Sequence, residues 1–391
     1  MNDDSIGERL WMPTVLLWLS GNALRLTILA VPPVIALIRD EFALNATQVG
    51  LLGSIAPALF AIAALAGSLL VARLGVKGAL VGGLLIVAAG SALRGASDSY
   101  TTLFITSVIM AAGVAVMQPI MPTAVRQWLP RRMGLGTAVY TNGLLVGEVL
   151  PVWLTLPLVL PLLGGQWRLA LVAWSLPILL IAIAVMAFAP RSARVAQVAP
   201  LKWLPDWHRG LVWRLGILFL SVNAIYFSAN TFIPIYLKSA GRPDLIGSAL
   251  TALNVGQIPA SLLLLGVADK LERRAWLYVA SGALSFVGIV GLVFDIGPLT
   301  VLWAALIGFS DAAALIVGLT LPALLCRQED VARTAAGTFT ISYGGAVVVA
   351  VVSGVAWDVS GWPALAFLPV AACALGLVAS ALYMRRTRDL I

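Results

Sequence analysis

One arginine inside an apolar stretch is the residue of this chain best suited to chemistry. Arg25 lies about twelve residues into the apolar stretch 13–37, a depth of about 18 Å at 1.5 Å per helical residue. A charge at the centre of a bilayer costs about 2.5–3.5 kcal/mol on insertion scales, so such residues usually face a cavity and serve a function. A guanidinium keeps its charge and fits planar anions. We therefore predict an anion contact at Arg25, and the alternative is a structural ion pair with Glu148 or Asp311.

Two further side chains share the predicted helical face of Arg25. Asn22 lies one turn earlier and Trp18 another turn earlier, at the spacing that makes side chains neighbours on a helix. We predict both as substrate contacts, and the alternative for Asn22 is a polar side chain that joins neighbouring helices in the membrane. Both interpretations stay open. For other polar residues within apolar stretches, packing between helices is the favoured interpretation and a substrate contact is the alternative; these are Gln118, Tyr140, Asn142, Asn254, Gln257 and Tyr343.

Two acidic residues within apolar stretches, Glu148 and Asp311, are candidates for carrying a proton. A carboxyl group in a low-dielectric setting holds its proton more tightly, so it can load and release protons near neutral pH. Glu148 directly follows Gly143-Leu-Leu-Val-Gly147, where small residues four apart allow another helix to approach closely. The alternatives are that Glu148 compensates the charge of Arg25, and that Asp311 caps a helix break or joins a polar patch with Ser310.

The composition limits the classes of protein in which these residues can act. Hydrophobic residues make up 61% of the 391 and charged residues 11%, against about 45–50% and about 25% in ordinary soluble domains. The protein is therefore expected to lie in a bilayer. Two cysteines and one histidine leave no disulfide framework, multi-histidine metal site or histidine triad. We expect no enzymatic activity, metal or cofactor, and no phosphate-binding G-x-x-x-x-G-K-S/T pattern for ATP occurs.

Apolar stretches of spanning length recur twelve times, since a helix needs roughly 20 apolar residues to cross about 30 Å of hydrocarbon. Runs such as 176–189 are continuously apolar, whereas barrel strands alternate. The predicted fold class is an all-α membrane protein with twelve transmembrane helices. They are centred approximately on 13–37, 46–71, 78–96, 100–122, 134–160, 167–189, 213–238, 245–267, 275–295, 298–325, 335–357 and 362–384.

The basic residues indicate an orientation in the membrane. With a cytoplasmic amino terminus, 19 of the 25 Lys and Arg residues fall in inside loops and five in outside loops, as the positive-inside rule requires. Both termini are therefore expected in the cytoplasm, with the protein in the inner membrane. Contacts with anionic lipid and this asymmetry explain the net charge of +8 without nucleic acid. Arg94 and Asp98, at the outer end of the third stretch, are expected to be solvated.

The longest polar interruption divides the twelve stretches into two sets of six. We predict a first bundle over 1–190, a cytoplasmic linker over 191–212 and a second bundle over 213–391. When the second half is aligned to the first at a shift of about 201 residues, Asn22-Ala-Leu-Arg25 lies over Asn223-Ala-Ile-Tyr226. This match indicates a duplicated unit, of the kind found in transporters with parallel repeats. Tyr226 and Asn223 are therefore expected to face the same cavity as Arg25, with Tyr226 donating a hydrogen bond.

Twelve stretches, a central linker and two pseudo-symmetric halves resemble the major facilitator superfamily over essentially the whole chain. The superfamily signature between helices 2 and 3, roughly G-x-x-x-D-R-x-G-R-K, corresponds here to 68–77, which lacks the acid and the first glycine. Its echo between helices 8 and 9 corresponds to 269–274, which keeps the acid and the bases. The resemblance implies a gating role for the matching residues, Arg73, Lys77, Asp269 and Arg273.

Within the superfamily the chain is similar to the branch of cyanate permeases and nitroimidazole transporters. Asn22-Ala-Leu-Arg25, Gln257-Ile-Pro-Ala-Ser261 and Trp357-Asp358 occur in the matching order. The resemblance implies a monomeric secondary active transporter that moves a small anion or compact polar solute, such as a cyanate-like, nitrate-like or small carboxylate substrate. It would work by alternating access with a proton as co-substrate. The alternative is proton-coupled efflux of drugs or metabolites.

Overall fold

The computed structural model describes residues 4–62, 64–190, 205–264, 271, 273–294, 297–327 and 330–391. All regular secondary structure in these ranges is helical, as the continuously apolar runs predict. Ten helices of the described part are long and apolar enough to cross a membrane, and they correspond to the third to twelfth predicted spans. These helices are Arg73–Arg94, Tyr100–Trp128, Met133–Leu162, Trp167–Phe188, Gly210–Ser239, Pro243–Leu264, Ala275–Phe294, Thr300–Gly318, Arg333–Ser360 and Pro363–Arg386.

The first predicted span is an interrupted helix. A helix over Asp4–Ala23 is followed by turns over 24–30, a 3-10 turn over Pro32–Val34 and a short helix over Ile35–Glu41. Pro32 and Pro33 have no N–H group to donate, so regular helical bonding cannot continue through them. Arg25 therefore lies in irregular backbone, which at membrane depth is tolerated only where it is buried in protein or lines a cavity.

The second predicted span is also divided, into helices over Ala46–Gly53 and Ile55–Ile62. Pro57 cannot donate to the carbonyl of Gly53, and its ring crowds that carbonyl, so the helix bends at Ser54. The Ser54 hydroxyl donates to the carbonyl of Leu51 at 2.9 Å. Within the described residues the first two predicted spans are thus divided, and the other ten each correspond to one of the helices named above.

The chain divides into two compact units, of which the first comprises Met1–Val34 and Ile62–Ala199. Its helices pack through glycines. A side chain on Gly90 would collide with the backbone of Met110, and one on Gly113 would collide with Val87. Small residues thus let the helices Ala64–Arg94 and Tyr100–Met117 approach to backbone contact. The helices of this unit that follow are Met121–Trp128, Met133–Leu154, Trp167–Ala173 and Ser175–Phe188.

The second unit comprises Ile35–Ala61 and Pro200–Ile391. Asp358 connects its parts, because its carboxylate accepts bonds from the backbone N–H groups of Ala46 and Thr47, both at 2.8 Å. Such a carboxylate satisfies N–H groups that a helix start leaves unpaired. The predicted boundaries at 190 and 213 stay a prediction, and residues 191–204 of the linker lie outside the described residues. The later helices of this unit are Gly210–Ser239, Ile246–Val255, Gln257–Leu264, Ala275–Phe294, Thr300–Gly318, Leu321–Leu325, Val331–Ser360 and Leu368–Arg386.

Candidate functional site

The centre of the site in the first unit is a buried ion pair between Arg25 and Glu148. The Arg25 Nε group donates to Glu148 Oε1 at 3.1 Å, and the two side chains are only 10% and 5% exposed. Arg25 lies in the interrupted part of the first predicted span, where its backbone N–H donates to the carbonyl of Asn22 at 3.2 Å. Glu148, the carboxylate partner of Arg25 in the first unit, is thus one of the two acidic residues that the sequence analysis named for such an ion pair.

Three glycines explain how Glu148 reaches Arg25 across 123 residues of sequence. A Cβ atom on Gly147 would collide with the carbonyl of Asn22, and one on Gly143 would collide with the carbonyl of Trp18. On the facing helix, a Cβ atom on Gly21 would collide with the carbonyl of Tyr140. The helices Asp4–Ala23 and Met133–Leu154 therefore approach to backbone contact, and Glu148 follows the last glycine of this seam.

Gln118 is the third polar side chain of the cluster. It begins a 3-10 turn over Gln118–Ile120 that interrupts the fourth predicted span, and its Oε1 accepts from Arg25 Nη1 at 3.5 Å. Asn22 is buried and lies beside Gly147. Trp18 instead donates from Nε1 to Asn142 Oδ1 at 2.9 Å. The structure thus brings together Arg25, Glu148 and Gln118, while the binding roles of Trp18, Asn22, Gln118 and Tyr140 stay predictions.

Arg94 departs from its expected position. We expected this side chain to be solvated, but it is fully buried, so that expectation is wrong. Its Nη2 donates to the carbonyl of Thr27 at 3.0 Å and to the hydroxyl of Ser91 at 2.8 Å. The reason is the interruption of the first span: Val31 donates to Ile28 rather than to Thr27, which leaves the Thr27 carbonyl for the guanidinium.

The second unit contains a cluster of uncharged hydrogen-bonding groups. The hydroxyl of Tyr226 donates to Asn254 Oδ1 at 2.9 Å, and Gln257 Nε2 lies 3.5 Å from the same oxygen. Asn254 Nδ2 in turn donates to Asn230 Oδ1 at 3.0 Å. The structure therefore brings together three predicted residues and adds Asn230, which the sequence analysis missed although it lies four residues after Tyr226. Asn223 lies apart from these bonds and donates to Ser342 at 2.8 Å.

Aromatic rings surround Tyr343 in the second unit. Its ring stacks against Phe339 at a centroid distance of 6.0 Å and meets Phe60 edge-on at 5.3 Å and Phe227 at 6.3 Å. Tyr226 contacts Phe227 edge-on at 5.3 Å, so this aromatic cluster adjoins the hydrogen-bonding cluster. Rings in such arrangements offer flat, polarisable surfaces to another planar group.

Asp311, the second predicted proton carrier, is buried in the helix Thr300–Gly318 of the second unit. The adjacent Ser310 shares a hydrogen bond of 2.8 Å with Ser285 on the helix Ala275–Phe294. A polar patch therefore exists beside Asp311. Its role as a proton carrier stays a prediction.

The predicted gating residues lie near two irregular segments. Gly75, with φ of 72°, interrupts the helix Ala64–Arg94 beside the exposed Arg73, and such a φ favours glycine. Lys77 donates to the carbonyl of Ala189 at 2.9 Å. Arg273 donates from Nε to the carbonyl of Asp389 at 3.2 Å and so holds the end of the chain. Asp269 lies outside the described residues.

Comparison with known proteins places this arrangement in a family. The family profile described as Major Facilitator Superfamily matches residues 17–243, more than half of the chain. The chain is 25% identical over 305 residues to the cyanate transport protein CynX of Escherichia coli (strain K12), covering 77% of this chain and 78% of that protein. It is also 25% identical over 324 residues to the 2-nitroimidazole transporter of the same organism, covering 81% of this chain and 80% of that protein.

Solved structures share the fold. A crystal structure of a D-xylose-proton symporter superposes with a TM-score of 0.78 over 96% of this chain and 97% of that chain, at 15% sequence identity. This likeness confirms the predicted major facilitator fold. Together with the family match, it shows that the chain belongs to the major facilitator superfamily of multi-pass membrane transporters.

Proposed function

We propose that this protein moves a small anion or a compact polar solute across the inner membrane by alternating access, with a proton as co-substrate. The observation that carries the proposal is the buried ion pair of Arg25 and Glu148 in an interrupted membrane span. Relatives whose names include cyanate and 2-nitroimidazole support a small, planar solute. The protein acts as a monomer with both termini in the cytoplasm.

The ion pair supplies a mechanism for coupling. Arginine stays charged at any accessible pH, whereas a glutamate can take up a proton. While Glu148 is ionised, its carboxylate occupies the Nε donor of Arg25. Once Glu148 is protonated, its attraction for the guanidinium falls, and a cyanate-like, nitrate-like or carboxylate anion takes its place. Anion binding and proton binding therefore favour one another, and by thermodynamic linkage the effect is reciprocal.

Pairing an anion with a proton also removes an electrical cost. Moving one elementary charge against a membrane potential costs about 2.3 kcal/mol per 100 mV. An anion that travels with one proton carries no net charge across the membrane. In the loaded state the protonated Glu148 and the bound anion leave Arg25 with the same charge balance as in the empty ion pair. The protein can therefore change conformation in both states, empty and loaded, without an uncompensated charge at Arg25.

The remaining predicted contacts supply uncharged donors. Gln118 lies beside the Arg25 guanidinium, and its amide N–H groups can bind an anion that replaces Glu148. In the second unit, Tyr226, Asn254 and Gln257 form a connected set of phenol and amide groups. We propose these residues as contacts for the polar edge of the solute, with Asp311 as a second group that can carry a proton.

A second candidate function is proton-coupled efflux of a planar organic compound. The observation that favours it is the aromatic cluster of Phe60, Phe227, Phe339 and Tyr343, whose rings can stack on a heterocycle. In this case Arg25 and Glu148 would serve coupling alone. The solute itself would be neutral.

Transport into proteoliposomes loaded with a pH-sensitive dye tests the proposal. An inward gradient of cyanate, nitrate or formate should acidify the lumen with the wild-type protein and not with Arg25→Gln. Arg242→Gln is the matched control, since Arg242 is an exposed arginine that pairs with Asp244. Luminal acidification that survives in Arg25→Gln contradicts the anion contact, and a response to 2-nitroimidazole alone supports the second candidate.

A further inference from the structure

A second buried arginine, Arg94, has no counter-charge within the described part of the chain. Its side chain is fully buried, and it forms no ion pair with any described acidic residue. Arg25 differs in this respect, because it has the Glu148 carboxylate. Burying an unpaired charge costs far more than burying a neutral polar group, so buried charges are normally paired.

The hydrogen bonds of Arg94 are incomplete as well. The Nη2 group makes both bonds of the guanidinium, to the Thr27 carbonyl and the Ser91 hydroxyl. The Nε and Nη1 groups have no hydrogen-bond partner among the described residues. A guanidinium presents its N–H donors in one plane that fits an anion, and since Nε and Nη1 lie on different edges of that plane, a small anion can bind at either buried donor beside the positive charge.

A second buried group without a hydrogen-bond partner in the described part of the chain, the Ser107 hydroxyl, lies at the level of Arg94 along the helix pair. The helices Ala64–Arg94 and Tyr100–Met117 run in opposite directions, with Gly90 against Met110 and Ser97 bonded to Thr106 at 3.4 Å. This register places Ser107 at the level of Arg94. The Ser107 hydroxyl is buried and likewise has no partner within the described ranges. A hydroxyl donor at the level of a guanidinium is a further candidate ligand for a small anion.

We propose that Arg94 binds a small inorganic anion as a resident counter-ion, at a site separate from Arg25. A water molecule would satisfy the orphan N–H groups but would leave the buried charge uncompensated. The anion neutralises Arg94 and so stabilises its bond to the Thr27 carbonyl, which holds the interrupted segment of the first span. The site goes beyond the proposed function, because its ligand stays bound and is not the transported solute.

Thermal unfolding of the purified protein in chloride, at constant ionic strength against gluconate, tests this site. Anything that binds the native state alone raises its apparent stability with concentration until the site is saturated. We expect a saturable rise of the unfolding temperature with chloride in the wild type and in Arg25→Gln. Arg25→Gln/Arg94→Gln should show no such rise. The Arg25→Gln background removes the proposed transport site, so the two proposals succeed or fail separately.

Arg94→Lys, in the same Arg25→Gln background, keeps the measurement decisive if the glutamine variant does not fold. Lysine retains the charge but replaces the planar fork by a single ammonium, so the apparent dissociation constant for chloride should rise at least tenfold, about the loss of one charge-assisted hydrogen bond. A chloride response that is unchanged by substitution of Arg94, or that equals the gluconate response in the wild type, overturns the proposal.

Discussion

Removing the carboxylate of Glu148 should destabilise the protein by an amount that an added anion restores. Both members of the ion pair are buried, with side chains 10% and 5% exposed. The small values measured for exposed pairs, about 0–1 kcal/mol, therefore do not apply. Breaking a buried pair by removing one partner costs about 3–5 kcal/mol, since the other charge stays behind. We expect a loss of this size in the free energy of unfolding of Glu148→Gln.

The restoring effect of an anion distinguishes a binding site from a purely structural pair. In Glu148→Gln the Arg25 guanidinium is left to an external anion, and a ligand at 100 times its dissociation constant adds about 2.7 kcal/mol of stability. Nitrate should therefore recover much of the loss. Arg25→Gln/Glu148→Gln is the control, because it has neither charge and retains Arg94. The additional stabilisation that nitrate gives Glu148→Gln, compared with this double variant, is therefore due to binding at Arg25.

Unfolding by titration with a denaturing detergent, followed by tryptophan fluorescence, measures these free energies. The double variant should lose less than the sum of the two single variants, since it leaves no unpaired charge at the site. The reasoning is refuted if Glu148→Gln unfolds within 0.5 kcal/mol of the wild type, where surface substitutions commonly fall. It is equally refuted if nitrate stabilises Glu148→Gln and the double variant to the same extent.

Two further substitutions test the packing that positions the site. Gly147→Ala should lower the free energy of unfolding by about 1–3 kcal/mol, because the new Cβ atom collides with the Asn22 carbonyl. Gly344→Ala is the control: its Cβ atom has no neighbour within 4 Å among the described residues, so it should not destabilise the protein in the same titration. Asp358→Ala should cost about 0.5–2 kcal/mol, because the helix that begins at Ala46 loses its carboxylate cap and the Thr47 hydroxyl loses its acceptor. An unchanged unfolding midpoint for Asp358→Ala would show that the cap contributes nothing.

The sequence predicted much of the first cluster because its signals are rare and local. A charge in an apolar stretch is unusual enough that Arg25 and Glu148 stand out without any structure. Gly143 and Gly147 in front of Glu148 predicted a close helix contact, and the structure places the first span there. The twelve stretches predicted the helices, and the pair Pro32-Pro33 contains the signal for the interruption of the first one.

The rest depended on contacts between distant parts of the chain. Arg94 ends an apolar stretch, where a basic residue normally reaches the membrane surface. Its burial results from the free carbonyl of Thr27, which exists only because the first span is interrupted. Asn223 matches Asn22 in the repeat, yet it bonds to Ser342 on a different helix. A repeat in sequence therefore predicts position along a helix, while hydrogen-bond partners depend on the neighbouring helices.

The dependence of anion affinity on pH tests the coupling of Arg25 and Glu148 most directly. The measurement is the dissociation constant of nitrate for the purified protein over several pH values, in the wild type and in Glu148→Gln. If the anion replaces an ionised Glu148 that takes up one proton, the wild-type dissociation constant should rise tenfold per pH unit wherever Glu148 is ionised before binding. Glu148→Gln should bind nitrate with an affinity that does not change with pH. The same pH dependence in both proteins would contradict the account.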